Sequence, residues 1–330
     1  MDGSETYDTT VGATMRAVRL HSPGRIEDLV VEEVATPRPE AGEALVRVHA
    51  AAITRDELSW PVDRLPATPS YEVSGTVVAT APDASEPSAG VAVYALMDFD
   101  RDGAAAEYAL VEARLLADKP RTLDDVQSAA VPLPALSAWQ GLFRHGGLAA
   151  GERVLIHGAA GGVGQFAVQL AHHHGAHVIG TASPWGLQLA RELGADEVID
   201  HTTTRFEDAV EPVDLVFDTV GGDRLQRSPA VLRHGGRLVS VAEQPPPDVL
   251  ENPAIRAVFF VVEPDREQLI RLTTLIDAGH VRPLVGEVFA LADAREAFAR
   301  AMAGNARGKV VIQITSRTAS RGSTSPAGPS

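Results

Sequence analysis

The sequence predicts an α/β protein in which a compact β domain precedes a doubly wound parallel sheet of six strands. Two patterns and one motif carry that expectation. From residue 122 onward, short Val, Leu and Ile runs alternate with segments of helical character, the order that a parallel sheet covered by helices requires. Between residues 15 and 121 the runs are rich in Val and Ala and are separated by clusters such as Pro37-Arg38-Pro39 and Ala81-Pro82-Asp83, which reads as irregular β structure. The motif is a glycine-rich stretch, Gly161-Gly162-Val163-Gly164, lying between a predicted strand and a predicted helix.

In chain order, the β signals fall at residues 15–20, 43–53, 73–79, 91–96 and 105–111. One helix is expected over 123–143, with Asp124 and Asp125 in its first turn, where the helix dipole favours anions. Strands follow at 153–157, 177–180, 197–200, 213–218, 237–241 and 257–262, with helices at 162–174, 185–193, 223–232 and 265–279. A strand at 284–289, a helix at 292–303 and a strand at 309–314 have no place in that six-stranded sheet and are assigned to the first domain. The expected division is therefore one domain over 15–121 and 284–315 around a second over 122–283. The segments 1–14 and 316–330 have nothing to bury and are expected to be disordered. Met15, opening MRAVRL, is a candidate ancestral start.

Composition narrows the function. A chain of 330 residues accommodates two domains. Cysteine is absent, which removes disulfides, thiolate metal sites and a cysteine nucleophile. The net charge of −15 opposes binding to nucleic acid or anionic lipid, so neither is expected as a partner. The first fourteen residues are polar and acidic, and apolar strings such as 257–262 are far shorter than the roughly 20 residues of a membrane helix. A cytoplasmic protein is expected.

The stretch from Gly151 to Gly180 reads as strand, loop, helix, strand. Taken as a dinucleotide fingerprint it is A-x-G-x-x-G, with Ala159 at the first glycine position, then Ala160, Gly161, Gly162, Val163 and Gly164. Gly161 would admit the pyrophosphate and Gly164 would let the helix pack closely on the strand, while the helix N-terminus offers free N–H groups to phosphate. An NAD site wants a carboxylate at the end of the second strand; this chain has Gly180-Thr181-Ala182-Ser183 and no acid before Glu192. NADPH is therefore the expected cofactor. Thr181 and Ser183 are candidate contacts, and His201, Arg307 or Lys309 the candidate basic partners of the 2′-phosphate. Ser183 has a second reading, as an ordinary helix cap.

With those residues placed, the chain resembles the medium-chain dehydrogenase/reductase superfamily, in its zinc-independent quinone oxidoreductase and enoyl reductase branch. The resemblance is carried by HAAAITRDEL from His49, GAAAEYALVEA from Gly103, VPLPALSAWQGL from Val131, the glycine loop, LGADEVID from Leu193, VDLVFDTVGG from Val213, GGRLVSV from Gly235 and ARGKVVIQI from Ala306. It implies a GroES-like domain joined to a Rossmann domain, a homodimer paired through the sixth strand, and further cofactor contacts at Val220, Val241, Phe260 and Val261. Positions that hold zinc in related alcohol dehydrogenases fall on Thr54, Tyr71 and near Leu133, so no metal is expected.

Without a metal, the expected chemistry is hydride transfer to a quinone or to an enone, with hydrogen-bond donors stabilising the developing enolate. Tyr71 is the preferred donor; it can equally be a packed core tyrosine. Thr54 and Arg55 are candidates for the substrate oxygen, Arg55 having the alternative of pairing with Asp56 or Glu57. Asp56 stands where the zinc enzymes carry a relay hydroxyl. Trp60 and Phe259-Phe260 are candidate pocket walls. The run His172-His173-His174 cannot converge on one ion from a helix. Two other readings stay open: an NADPH-binding regulator or scaffold with little turnover, and a cyclase- or lyase-like use of the same fold.

Overall fold

The computed structural model describes residues 11–61, 64–84, 86–304 and 306–314; the expectations for the two ends of the chain lie outside these residues, except that β1 already begins at Thr14. The strands are β1 (Thr14–Leu20), β2 (Leu29–Ala35), β3 (Glu43–Ile53), β4 (Glu72–Thr80), β5 (Ala92–Leu96), β6 (Tyr108–Glu112), β7 (Ala117–Asp118), β8 (Arg153–His157), β9 (His177–Ala182), β10 (Glu197–Asp200), β11 (Val213–Asp218), β12 (Leu232–Ser240), β13 (Ile255–Phe259), β14 (Val285–Ala290) and β15 (Lys309–Gln313). The α-helices are α1 (Asp125–Ala129), α2 (Pro132–Trp139), α3 (Gly164–His173), α4 (Leu187–Glu192), α5 (Asp223–Arg227), α6 (Pro247–Leu250), α7 (Arg266–Asp277) and α8 (Ala294–Met302).

Six strands form one parallel sheet in the order β10-β9-β8-β11-β12-β13. β11 is buried along its whole length, VDLVFD, because helices cover both faces, and such strands read as continuous apolar runs. The order reverses between β8 and β11, so the loops that follow these strands flank a crevice at the carboxyl ends, where ligands of open α/β sheets bind. A second sheet, β14-β15-β3-β4-β5-β7 with β6 on β3, joins the first part of the chain to its last strands through the antiparallel pair β15 and β3. One core runs through both sheets, including Val48, Leu96, Leu136, Phe166 and Phe217. Tyr94 of β5 ties its sheet to α7 by donating from its buried hydroxyl to the Leu269 carbonyl at 2.8 Å.

Three local expectations are corrected. The single helix over 123–143 is broken into α1, α2 and a π-helical turn, Gln140–His145. Pro132 and Pro134 lack the N–H groups that would continue α1, and Pro132 instead opens α2 at a position where that loss costs nothing. Asp124 lies just before α1 and caps it, accepting from the Gln127 N–H in a capping box. The strand at 105–111 starts only at Tyr108, because Ala104 and Ala105 donate to the carbonyls of Ser70 and Pro69. β2, paired with β1 along its length, is an added strand; its Glu32-Glu33 pair interrupts the apolar pattern.

Candidate functional site

The glycine loop leaves β8 and enters α3, as the dinucleotide reading requires. The tight turn is made at Gly158, whose φ is +75°, one residue before the assigned first position. Ala159 is fully buried and its N–H is spent on the Thr181 carbonyl at 2.9 Å, so it offers nothing to phosphate. Gly161 likewise donates to Gly158, at 2.8 Å. Gly164 fills the packing role expected of it, since a Cβ there would stand 2.0 Å from the Gly158 oxygen. Among the described residues, the N–H groups of Gly162, Val163 and Gly164 have no backbone partner, and a Cβ on Gly162 would meet nothing within 4 Å. Open space before unpaired N–H groups at a helix start fits a pyrophosphate. Ala160 is buried and packs toward Gly186.

The strand behind the loop is held from inside. Thr181 is buried, its hydroxyl 3.1 Å from His157 Nδ1, and the other nitrogen of His157 meets Ser228 at 3.1 Å. Burial pushes the His157 imidazole down to about 3, so it is a neutral strut. Thr181 thus faces the interior. Ser183 makes no side-chain cap bond to the short 3-10 turn that follows, which leaves its hydroxyl uncommitted. Asp218, at the end of β11, accepts from the N–H groups of Val220 and Gly221 and from Ser240, and so shapes the opposite wall of the crevice. Val220 and Val261 are exposed, and Val241 is half-buried with its N–H on the Asp218 carbonyl. Phe260 is buried and its ring stacks on His145 at 4.4 Å.

The positions matched to zinc ligands do converge, on Glu72. This fully buried carboxylate of β4 accepts from the Leu133 N–H at 3.1 Å, from the Thr54 hydroxyl at 3.4 Å and from the ammonium of Lys309 on β15. Lys309 also donates to the Thr54 hydroxyl, at 3.3 Å. Its ammonium is therefore engaged by Glu72 and Thr54, and is not free for the 2′-phosphate for which the sequence offered it as a candidate. Sequence reasoning missed Glu72 as a participant; it opens β4, one residue before the strand expected over 73–79.

Tyr71 precedes Glu72 and is buried. Its ring stacks on Trp60 at 5.8 Å and meets the edge of Phe99 at 5.3 Å, and Trp60 and Phe99 lie 5.0 Å apart. Trp60 is thus an aromatic wall as expected, joined by Phe99, which stands alone between two aspartates in sequence and carried no signal. The Tyr71 hydroxyl finds no hydrogen-bond partner among the described residues, and burial pushes it up to about 12, so it stays protonated. Ser70, just before it, is a fully buried serine at φ +70°, an unfavourable conformation of the kind held at functional sites.

Glu57 ties these pieces together, accepting from the Thr54 N–H at 3.0 Å and the Ser70 N–H at 3.1 Å. It is not the partner of Arg55, which is exposed and lies over Gly304, as Asp56 is exposed beside it. Burial pushes the Glu57 carboxyl up to about 8, against the lowering effect of the Thr54 N–H and the Lys309 charge. Because this folded value lies above the ordinary 4.5, the stability it contributes is complete below that value and is lost as pH rises through about 8. Glu57→Gln, neutral throughout, is expected to flatten the fall in denaturant stability between about pH 5 and about pH 9; an unchanged slope would show Glu57 ionised across the range. The three consecutive histidines diverge, His173 toward His280, His174 toward Phe143 and His172 toward Gly194.

Two family models match the chain: an alcohol dehydrogenase GroES-like domain over residues 40–121 and a zinc-binding dehydrogenase over residues 193–312. The NADPH-dependent alkenal/one oxidoreductase of Arabidopsis thaliana, a chloroplastic protein, is 33% identical over 93% of this chain and 81% of its own length. The quinone oxidoreductase of Homo sapiens is 30% identical over 91% of this chain and 98% of its own. The solved structure of the quinone oxidoreductase from Coxiella burnetii superposes with a TM-score of 0.86 at 30% identity, covering 92% of this chain and 100% of that one.

Proposed function

Because this chain belongs to the medium-chain dehydrogenase/reductase superfamily, in its zinc-independent branch, and is an oxidoreductase, we propose that it reduces enones or quinones with NADPH. The observation that carries this reading is the Tyr71 hydroxyl, protonated and without a hydrogen-bond partner among the described residues, on a ring walled by Trp60 and Phe99 one residue before Glu72. A flat conjugated substrate suits walls made of Trp60 and Phe99.

A dihydronicotinamide held in the crevice would supply the hydride. The loop from Gly158 to Gly164 would hold its pyrophosphate on unpaired N–H groups, and Ser183 would meet the ribose side. Hydride added at the β-carbon leaves negative charge on the carbonyl oxygen, which needs fixed donors. Tyr71 serves there, while the Thr54 hydroxyl, donating to Glu72 and accepting from Lys309, belongs to the cluster that supports the site. The Lys309 ammonium puts a positive charge behind Thr54, while Glu72 holds that ammonium in place. Tyr71 then gives its proton to the α-carbon or to the oxygen and recovers it from solvent. Arg55 and Asp56, both exposed, are assigned to the rim of the site.

The reading is tested by following NADPH and NADH consumption on a panel of quinones and enones, in the protein and in Tyr71→Phe. NADPH-linked turnover is expected, with enone reduction slowed roughly 100-fold in Tyr71→Phe. Unchanged enone turnover would make water the donor. No helix among the described residues is long and apolar enough to cross a membrane, and we place the protein in the cytoplasm, as a homodimer joined through the free edge of β13. Sedimentation velocity reads the dimer directly.

A further inference from the structure

Outside the carboxyl ends of β10 and β11 lies a cavity of about 490 Å³, lined by His201, Thr202, Arg205, Gly221, Gly222 and Arg224 among others. The N–H of His201 donates to the Ala182 carbonyl at 3.2 Å, which sets this residue beside Ser183. From the first turn of α5, Arg224 reaches across and donates from Nη2 to His201 Nδ1 at 3.0 Å. Both side chains are half-buried.

The arginines of this cavity differ in their counter-charges. Arg227 is held by Asp223 and Glu207, and Arg205 by Glu207 and Asp208. Arg224 has no carboxylate at ion-pair distance among the described residues, although the chain as a whole carries a net charge of −15. Its partner is an imidazole that burial and the Arg224 charge hold below its ordinary value, and that neutral ring provides no compensating charge. The Asp223 carboxylate, on the same cavity wall, is turned to Arg227. A guanidinium with no carboxylate at ion-pair distance among the described residues, braced by a His201 whose N–H bonds the carbonyl just before Ser183, suits a phosphate monoester.

Granting the NADPH reading on which this rests, we infer that Arg224, braced by His201 and joined by Ser183, binds the 2′-phosphate and sets the preference for NADPH over NADH. Arg307, also nominated by the sequence, is exposed and lies 5.8 Å from the centre of the Trp185 ring. It faces an aromatic surface from outside the cavity and is not the residue that discriminates.

The test is calorimetric binding of NADPH, NADH, 2′,5′-ADP and AMP to the intact protein and to Arg224→Met and Arg307→Met. Arg224→Met is expected to lose roughly tenfold to 100-fold in affinity for NADPH and 2′,5′-ADP, the value of a charge-assisted bond. It is expected to keep its affinity for AMP and NADH, which also shows that the variant is folded. Arg307→Met is expected to keep the NADPH preference. The inference is overturned if Arg224→Met keeps the preference, if it weakens AMP as much as 2′,5′-ADP, or if Arg307→Met abolishes the preference instead. A wild-type protein that binds NADPH no better than NADH would overturn the NADPH reading itself.

Discussion

Lys309→Met is expected to lower unfolding free energy by about 3–5 kcal/mol, the cost of leaving a buried carboxylate without its counter-ion. Glu72 is fully buried, and its outer oxygen depends on the Lys309 ammonium and the Thr54 hydroxyl. The cluster joins β3, β4, β15 and the start of α2, so its loss loosens the sheet that carries Tyr71. Urea denaturation of Lys309→Met, Glu72→Gln and the double variant checks this. The double variant, which removes both charges, is expected to regain most of the stability lost by Lys309→Met while remaining a poor catalyst. If Lys309→Met is as stable as the parent, the pair is not the strut described here.

Gly164→Ala is expected to disrupt nucleotide binding more than any other single methyl group in the chain. The added carbon would stand 2.0 Å from the Gly158 oxygen and 2.7 Å from its carbonyl carbon, both backbone atoms that cannot swing aside. Relief requires moving α3 away from β8, at roughly 1–3 kcal/mol of stability and with its N–H groups displaced from the phosphate position. A loss of roughly 100-fold in NADPH affinity is expected, since each charge-assisted bond of this kind is worth about 1.5–3 kcal/mol. Gly162→Ala is the control, because its Cβ would enter open space, and its fold stability is expected to stay near that of the parent. Equal stability losses in the two variants would contradict the close contact.

The contrast between these two sites shows what the sequence could reveal. The nucleotide loop is a local feature, written in consecutive residues between a strand and a helix, and was legible with an error of one position. That error has a physical source: the spacing was counted onto Ala159, whereas the turn needs a positive φ, which favours the glycine just before it, Gly158. The six-stranded sheet was legible because each strand is a short apolar run bounded by helical periodicity. The break at Pro132 was present in the sequence and lost to a continuous apolar pattern. The Glu72 cluster was not legible in the same sense. Lys309 lies 237 residues from Glu72, and only the antiparallel pairing of β15 with β3 brings it there. Glu57, read as a surface acid beside Arg55, turns inward because the Thr54 and Ser70 N–H groups require an acceptor. Ser183 and Arg224 fall between these cases, the first visible as a missing carboxylate, the second only once α5 is folded over β10.

The reaction proposed for this protein is hydride transfer to a conjugated carbon, assisted by its own side chains where zinc-dependent relatives use a metal. It is tested most directly by NMR of the product formed from an enone and NADPH deuterated at the transferring position, using protein treated exhaustively with chelator. One deuterium is expected at the β-carbon of the saturated ketone, with turnover unaffected by the chelator. NADPH bound without consumption on any enone or quinone, or turnover restored only by added zinc, would contradict it.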